Sequence, residues 1–335
     1  MAITKKKPIH KSQQFRAKFS SSTIQLATNL LLYVFLYGVS ISIANRILSS
    51  TSAPLLLAGL LLTATLLAFI IVRIFIVQHD CAHNAYYKKV KTNKYTGIFL
   101  SVFTHVPHVY WQQQHAYHHA HSGNLQGRNV GDIKVLTRAE YSALPRYSQL
   151  AYRIYRNPFV MVVLGSLFQF FIWFKVPNTA SRKNRKALQS IVITDLLIAL
   201  RVIALSLLLG WESVLIVESL SLWIAAMAAI VLFYVQHNYA GTYWRNKDEW
   251  SHEDASLRGS SFLDLGAIGH WLTGNIGFHH MHHLDSRIPN YLLPAAHKTL
   301  SDQVELTVLG YRDIPKSFAL KVWDETTCQL VGFEV

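Results

Sequence analysis

Charge is scarce in this chain. Asp, Glu, Lys and Arg make up 15% of its 335 residues while 51% are hydrophobic, against roughly a quarter charged in soluble domains. That deficit argues against a water-soluble globule and for a lipid-facing surface. Cysteine is scarcer still. Cys81 and Cys328 are the two present, too few and too far apart for a disulfide framework, a CxxC redox pair or an iron–sulfur site. Electrons for any redox chemistry must therefore come from elsewhere. No Gly/Ser/Pro-rich linker or low-complexity tract divides the sequence, which argues for one domain, 23–335, behind a basic segment, 1–22. No small-residue cleavage site follows the first apolar run, so nothing is expected to be removed. Acidic residues number 18 against 32 basic, a net charge of +14. The excess lies in short runs beside apolar segments, at Lys5 to Lys7 and Arg182 to Lys186, as at the cytoplasmic ends of membrane helices. Nucleic acid is not an expected partner.

Long apolar runs are abundant. A helix needs about 20 residues to span the hydrocarbon layer, and runs of that length lie at Thr23 to Leu48, Pro54 to Gln78, Leu188 to Leu209 and Ser213 to Gln236. Two weaker runs, Thr96 to Val106 and Pro158 to Val176, are short or broken by proline and flanked by aromatics, as in helices lying along a membrane surface. With a cytoplasmic amino terminus, two crossings return the chain to the cytoplasm near Gln78. The basic stretch from Lys175 to Lys186 belongs on the same side, so the run from Pro158 is a surface or re-entrant helix and not a full crossing. The last pair of crossings, joined at Gly210-Trp211-Glu212, delivers His237 there too. The expected fold is an all-α integral membrane protein: four transmembrane helices, interfacial or re-entrant helices, and a cytosolic helical cap. Asp195 and Arg201 fall inside the third crossing, where charge is expensive; they are expected to pair or to snorkel to a helix end.

The seventeen histidines are clustered. His79 and His83 stand at i, i+4, on one face of a helix continuing from the second crossing. His115, His118 and His119 form an i, i+3, i+4 set, and His279, His282 and His283 repeat it. One such pair is more often structural than functional; three clusters on one membrane face are difficult to obtain by accident. Eight imidazoles exceed what one ion takes, since zinc binds four ligands and octahedral metals six, so two metals are expected. Imidazole serves Zn, Cu, Fe and Ni alike, which leaves the metal open. His237, where the fourth crossing ends, is the expected ninth ligand. Asp80, Asn84, Asn238, Asn275 and Asp285 adjoin the clusters, where carboxylates and amides orient imidazoles through the distal N–H or merely cap helices. His105, His108, His121, His252, His270, His280 and His297 are expected to lie around the site or at the surface, and His10 in solvent.

The clusters HDCAH (79 to 83), HAYHH (115 to 119) and HHMHH (279 to 283) resemble the three histidine boxes of the membrane fatty acid desaturases. The likeness runs from about residue 75 onward, through Trp111, GDIKVLTRAEY (131 to 141), YRIYRNPFV (152 to 160), FYVQHNYAGTYW (233 to 244) and TGNIGFHHMHHLDSRIPNYLL (273 to 293), and looks most like the omega-6, or delta-12, branch. The resemblance implies two iron ions held by the nine histidines, with Asn275 reaching iron through water. It implies a fatty acyl lipid or acyl thioester as substrate, O2 as oxidant, and a cis double bond as product. Because no His-Pro-Gly-Gly haem motif occurs, the donor is expected to be a separate protein of ferredoxin or cytochrome b5 type, drawn by the basic face. Gly266 and Gln112 stand where proline and arginine are common in the family, near the implied substrate tunnel. The rivals are a lipid or carotenoid hydroxylase or ketolase of the same family and, from another class, a membrane metal transporter or zinc scaffold. The expected location is a bacterial plasma membrane with the site facing the cytoplasm, the endoplasmic reticulum being the alternative.

Overall fold

A computed structural model describes residue 12 and residues 14–49, 54–129, 131–177, 182–300 and 306–333. The run Lys5 to Lys7 and His10 lie outside the described residues. In chain order the helices are α1 (Phe19–Leu48), α2 (Pro54–Ala82), α3 (Val90–Thr104), α4 (His108–His121), α5 (Arg138–Ala143), α6 (Arg146–Tyr155), α7 (Val160–Trp173), α8 (Arg185–Leu209), α9 (Trp211–His237), α10 (His252–Arg258), α11 (Gly266–Leu272), α12 (His279–Leu284), α13 (Leu293–Leu300) and α14 (Ile314–Ala319). Sheet is limited to two short pairings, Phe262–Leu263 parallel to Val308–Leu309 and Val322–Asp324 antiparallel to Gln329–Val331. The protein is an all-α membrane protein with four spans, α1, α2, α8 and α9. At 25 to 30 residues each they reach about 37–45 Å, longer than a hydrocarbon layer of about 30 Å. Their ends therefore project, and α2 and α9 carry His79 and His237 on one such end.

Inside the bundle α2 packs against α1, α3 and α9. Tyr33, Tyr37 and Ile41 meet Leu67, Ala68 and Ile71 of α2 and Val214, Val217 and Ala225 of α9 in one core; the small Ala68 and Ala225 let backbones approach closely. The opposite faces remain apolar and exposed, as at Leu31, Leu55, Leu200 and Leu207. In water such a surface would demand a partner, whereas in a bilayer the acyl chains cover it.

The two weaker runs differ. The run from Thr96 closes α3 with one face buried at Leu100 and Thr104 and the other exposed at Tyr95 and Phe99; the chain then reverses at His105 (φ 59°), and α4 heads back to the cap. Gln78 fixes this reversal, accepting from Thr104 Oγ1 (2.5 Å) and donating to Val106 O (2.9 Å). Buried backbone and amide groups here have to find protein partners because lipid offers none. The run from Pro158 forms α7, with wide π-type turns, bent by 70° from α6 and packed on α9. That agrees with a surface or re-entrant helix.

Asp195 and Arg201 do not pair with each other. Asp195 faces Lys175 at 3.3 Å. Arg201 meets the Glu218 carboxylate and donates to Tyr33 OH (2.8 Å), while Glu218 also faces His105 Nε2 at 3.0 Å. Charges this deep are tolerated when paired, and this group ties α1, α8 and α9 to the α3–α4 reversal. The described part of segment 1–22 leans on the cap: Lys18 N donates to Tyr291 OH (3.0 Å), and Arg16 reaches Asp285 (2.9 Å).

Removing one partner of a buried ion pair costs about 3–5 kcal/mol because the other charge is stranded. Glu218→Ala should therefore lower the thermal unfolding temperature in detergent by several degrees, whereas Arg201→Met combined with Glu218→Leu should recover most of the loss. A single variant as stable as the parent by size-exclusion melting would show that the network bears no load.

Candidate metal centre

Four elements deliver the histidines. His79 lies in the last turn of α2, and His83 N donates to His79 O (3.2 Å), so the helical turn continues one step beyond Ala82 and brings the two rings together edge to face, 4.9 Å between centroids. α4 presents His115, His118 and His119; α12 presents His279, His282 and His283; α9 ends at His237. All nine converge in two groups. His79, His83, His115, His119 and His282 form one, and His118, His237, His279 and His283 the other, with the ligand-capable nitrogens of each group within 4.8 Å of one another. Two of the three sequence clusters are divided by the fold, α4 and α12 contributing to both groups, while His79 and His83 stay together in the first.

The nitrogens meet edge to edge. In the first group His282 Nε2 lies 2.9 Å from His119 Nε2, which lies 3.1 Å from His115 Nε2. In the second, His279 Nε2 is 2.9 Å from His237 Nε2 and 3.2 Å from His283 Nε2, itself 3.3 Å from His118 Nε2. Adjacent ligands about 2.1 Å from one ion stand about 3.0–3.4 Å apart in octahedral or tetrahedral geometry, so these separations fit a shared ion per group. His83 Nε2 is buried without a protein partner, as an inward-facing lone pair would be. Nine imidazole nitrogen donors and no thiolate fit a borderline divalent metal.

Three of the outer nitrogens are held from behind. His118 Nδ1 meets the Asp132 carboxylate, His237 Nδ1 donates to Gly259 O (3.0 Å), and His79 Nδ1 faces Asp80 Oδ1 at 3.3 Å. Placing the proton on Nδ1 leaves Nε2 free to ligate. Asp80 is itself fixed, its Oδ2 accepting from Asn290 N (2.6 Å) and Nδ2 (2.8 Å). Asp132 reaches His118 because Gly131 has φ +74° and lies so close to α4 that a Cβ there would come within 2.8 Å of Gln114 O. A small cavity of about 40 Å³ adjoins His118, Asp132 and His237. A larger cleft of about 490 Å³ lies on the cap between Arg128, Trp244 and Trp323 and touches none of the nine histidines.

The residues flanking the clusters have other partners. Asp285 binds Ser12, Arg16 and Arg287 and so anchors the amino-terminal segment. Asn238 donates to Ser317 O and accepts from Arg156; Asn275, at φ 61°, donates to Asn290 O. Asn84, also at positive φ, is exposed. Among the bystanders, His280 pairs with His297 (3.1 Å) and His105 lies in the bundle. Gln112 Nε2 donates to Ala82 O (2.6 Å), joining α4 to the end of α2. Gly266 is exposed at φ +63°, a conformation proline cannot adopt. Asp132 was legible only as part of a loop motif, since it comes fourteen positions after His118 without helical periodicity. Gln78 and Gln236 each precede a histidine at the end of a span, and Gln236 Nε2 donates to Ile276 O (3.0 Å), fixing the approach to the third cluster.

Burial, reinforced by neighbouring imidazoles, holds His83, His115, His119, His279, His282 and His283 well below the ordinary histidine value of 6.5. These rings stay neutral at physiological pH, the form that binds metal. Trp111 stacks on His115 (4.3 Å between centroids) and meets Phe75 edge-on, giving the centre an apolar wall.

Residues 52–315 match the family model for fatty acid desaturases. The chain is 39% identical over 261 residues to a fatty acid desaturase of Bacillus subtilis, covering 78% of this chain and 74% of that one. It is 30% identical over 237 residues to an sn-1 oleoyl-lipid 12-desaturase of Synechocystis, covering 68% and 64%. It is 25% identical over 262 residues to a chloroplastic sn-2 acyl-lipid omega-3 desaturase (ferredoxin) of Arabidopsis thaliana, covering 73% and 55%. The matched regions thus span less than two thirds of the latter two relatives.

Asp132→Asn should weaken metal binding about 10–100-fold, the usual effect of losing a carboxylate behind a ligating imidazole. Competition with a chelator measures it, and unchanged affinity would remove Asp132 from the site. Acid should destabilise the metal-free protein. The unfolded chain takes up protons near pH 6.5 that the folded cap refuses, so stability is full above that pH and falls as pH drops below it. Melting curves between about pH 7.5 and about pH 5.5 should show a steady fall, and a flat profile would mean the rings protonate freely in the fold.

Proposed function

The chain belongs to the fatty acid desaturase family, and on that premise we propose that it is a di-iron acyl desaturase of delta-12, or omega-6, type that acts on a lipid-linked or thioester-linked chain. The observation that carries the reading is the convergence of nine imidazoles into a group of five and a group of four, the ligand atoms of each within 4.8 Å of one another. Two ferrous ions held there would supply the O2-activating chemistry that an unactivated methylene pair demands and that side-chain acids and bases cannot provide. His79, His83, His115, His119 and His282 would hold one, and His118, His237, His279 and His283 the other.

Overall the reaction removes two hydrogens from adjacent methylenes. With O2, two electrons and two protons it yields the cis alkene and two water molecules. The chain's own contribution is placement. Asp132, Asp80 and the Gly259 carbonyl keep the Nε2 lone pairs directed inward, the cap buries the centre, and Trp111 and Phe75 present an apolar wall to an acyl chain rising from the bilayer. The Synechocystis relative's oleoyl-lipid 12-desaturase name supports the regiochemistry, and the ferredoxin in the Arabidopsis relative's name supports a separate one-electron carrier as donor, with a cytochrome b5 type as the alternative. The basic residues Lys88, Lys89, Arg182 and Lys183 flank the histidine end of the spans. By the positive-inside rule that end faces the cytoplasm, here of a bacterial plasma membrane.

Expression in a host lacking diunsaturated lipids, with product analysis by mass spectrometry, tests the reading. A diunsaturated acyl chain two mass units lighter than its precursor is expected, absent in His118→Ala although that variant still inserts in membranes. A hydroxylated product without loss of two hydrogens would move the protein to the hydroxylase side of the family, and zinc without iron in active preparations would overturn the di-iron centre.

A further inference from the structure

The helix α6 lies on the cap side of α7 and carries an apolar stripe with no partner among the described residues. Tyr147, Leu150 and Ile154 are 77%, 59% and 52% exposed, and spacings of three and four place them on one face. The opposite face is engaged: Tyr152 is buried against Tyr141 and Phe333, and Arg153 donates to Tyr141 OH (2.7 Å). The stripe does not end with α6. Exposed Phe159 continues it to Leu164 and Phe168 on α7. α7 packs on the span α9, with Trp223 Nε1 donating to Val163 O (3.1 Å), so the outer face of α7 is part of the lipid-facing surface. The 70° bend between the two helices turns α6 away from α7 while keeping its apolar stripe continuous with that surface. An amphipathic helix in this position fits a bilayer interface.

We infer that α6 is a membrane-surface helix whose apolar face is seated in the bilayer interface, and that this seating fixes the strap carrying Asp132. The connection is direct. Tyr155 OH accepts from Lys134 N (2.9 Å) and Tyr152 OH accepts from Leu136 N (3.0 Å), so two tyrosines of α6 hold the backbone just after Asp132. The partner is the lipid surface itself, and the inference rests on the membrane fold and not on the reaction.

Site-directed spin labelling of the full, metal-loaded chain in phosphatidylcholine/phosphatidylglycerol nanodiscs tests it. Leu150→Cys and Ile154→Cys are made separately in a Cys328→Ser background, leaving buried Cys81. At both positions dissolved oxygen should relax the label more strongly than a water-soluble nickel chelate, placing it about 5–10 Å below the phosphates. Stronger relaxation by nickel would put the face in water. Protection from both reagents would mean that a second protein surface covers it. Either result overturns the inference. The link to the strap is read from a label at Lys134→Cys, where Leu150→Asp combined with Ile154→Asp should sharpen the spectrum as the strap loosens; an unchanged spectrum would separate the helix from the strap. Failure of the desaturase reading would leave these spectra unaffected.

Discussion

Neutral imidazole nitrogens can be brought within about 3 Å of one another only if the elements bearing them end at the same height and in the same rotational phase. Four separate helices meet that condition here. A span supplies His79, another supplies His237, the returning arm of the α3–α4 reversal supplies three rings, and the short α12 supplies three more. No element makes a complete group, so the centre is a property of the assembled bundle and cap.

The bundle's unusual polar contents follow from that demand. Gln78 and Gln236 sit one position before a histidine at the ends of α2 and α9 and bind carbonyls of the segments leading to the second and third clusters. The buried Arg201–Glu218–His105 group secures the reversal from which α4 rises. In lipid these amides and charges have no water to return to. Their cost when unpaired becomes a force holding the histidine-bearing segments in register.

The spans and the histidines were plain in the sequence because each leaves a local signature: long apolar runs, and imidazoles at helical spacing. His237 was legible because it closes an apolar run. Asp132, Gly259 and the partners of Arg201 were not, since each meets its target across the fold without periodicity. Asp285 and Asn238 adjoin histidines in sequence, yet their side chains point to the amino-terminal segment and to Arg156, because neighbours along a helix end face different directions. Asp195 and Arg201 read as a pair or as snorkelling residues for a similar reason: sequence proximity gives no knowledge of Lys175 or Glu218 arriving from elsewhere.

The glutamine–histidine ends of α2 and α9 also constrain how such a protein can change over time. Each residue inserted or lost in a helix turns everything beyond it by about 100°. A single-codon deletion inside α2 would swing both His79 and Gln78 off their targets, whereas α1 ends in no histidine, and its far end is bound instead to the α8–α9 connection, Asn45 Nδ2 donating to Leu209 O (3.3 Å) and Asn45 Oδ1 accepting from Ser213 Oγ. The residue counts of α2 and α9 are therefore set by the metal centre, and that of α1 by its contact with the turn at Gly210.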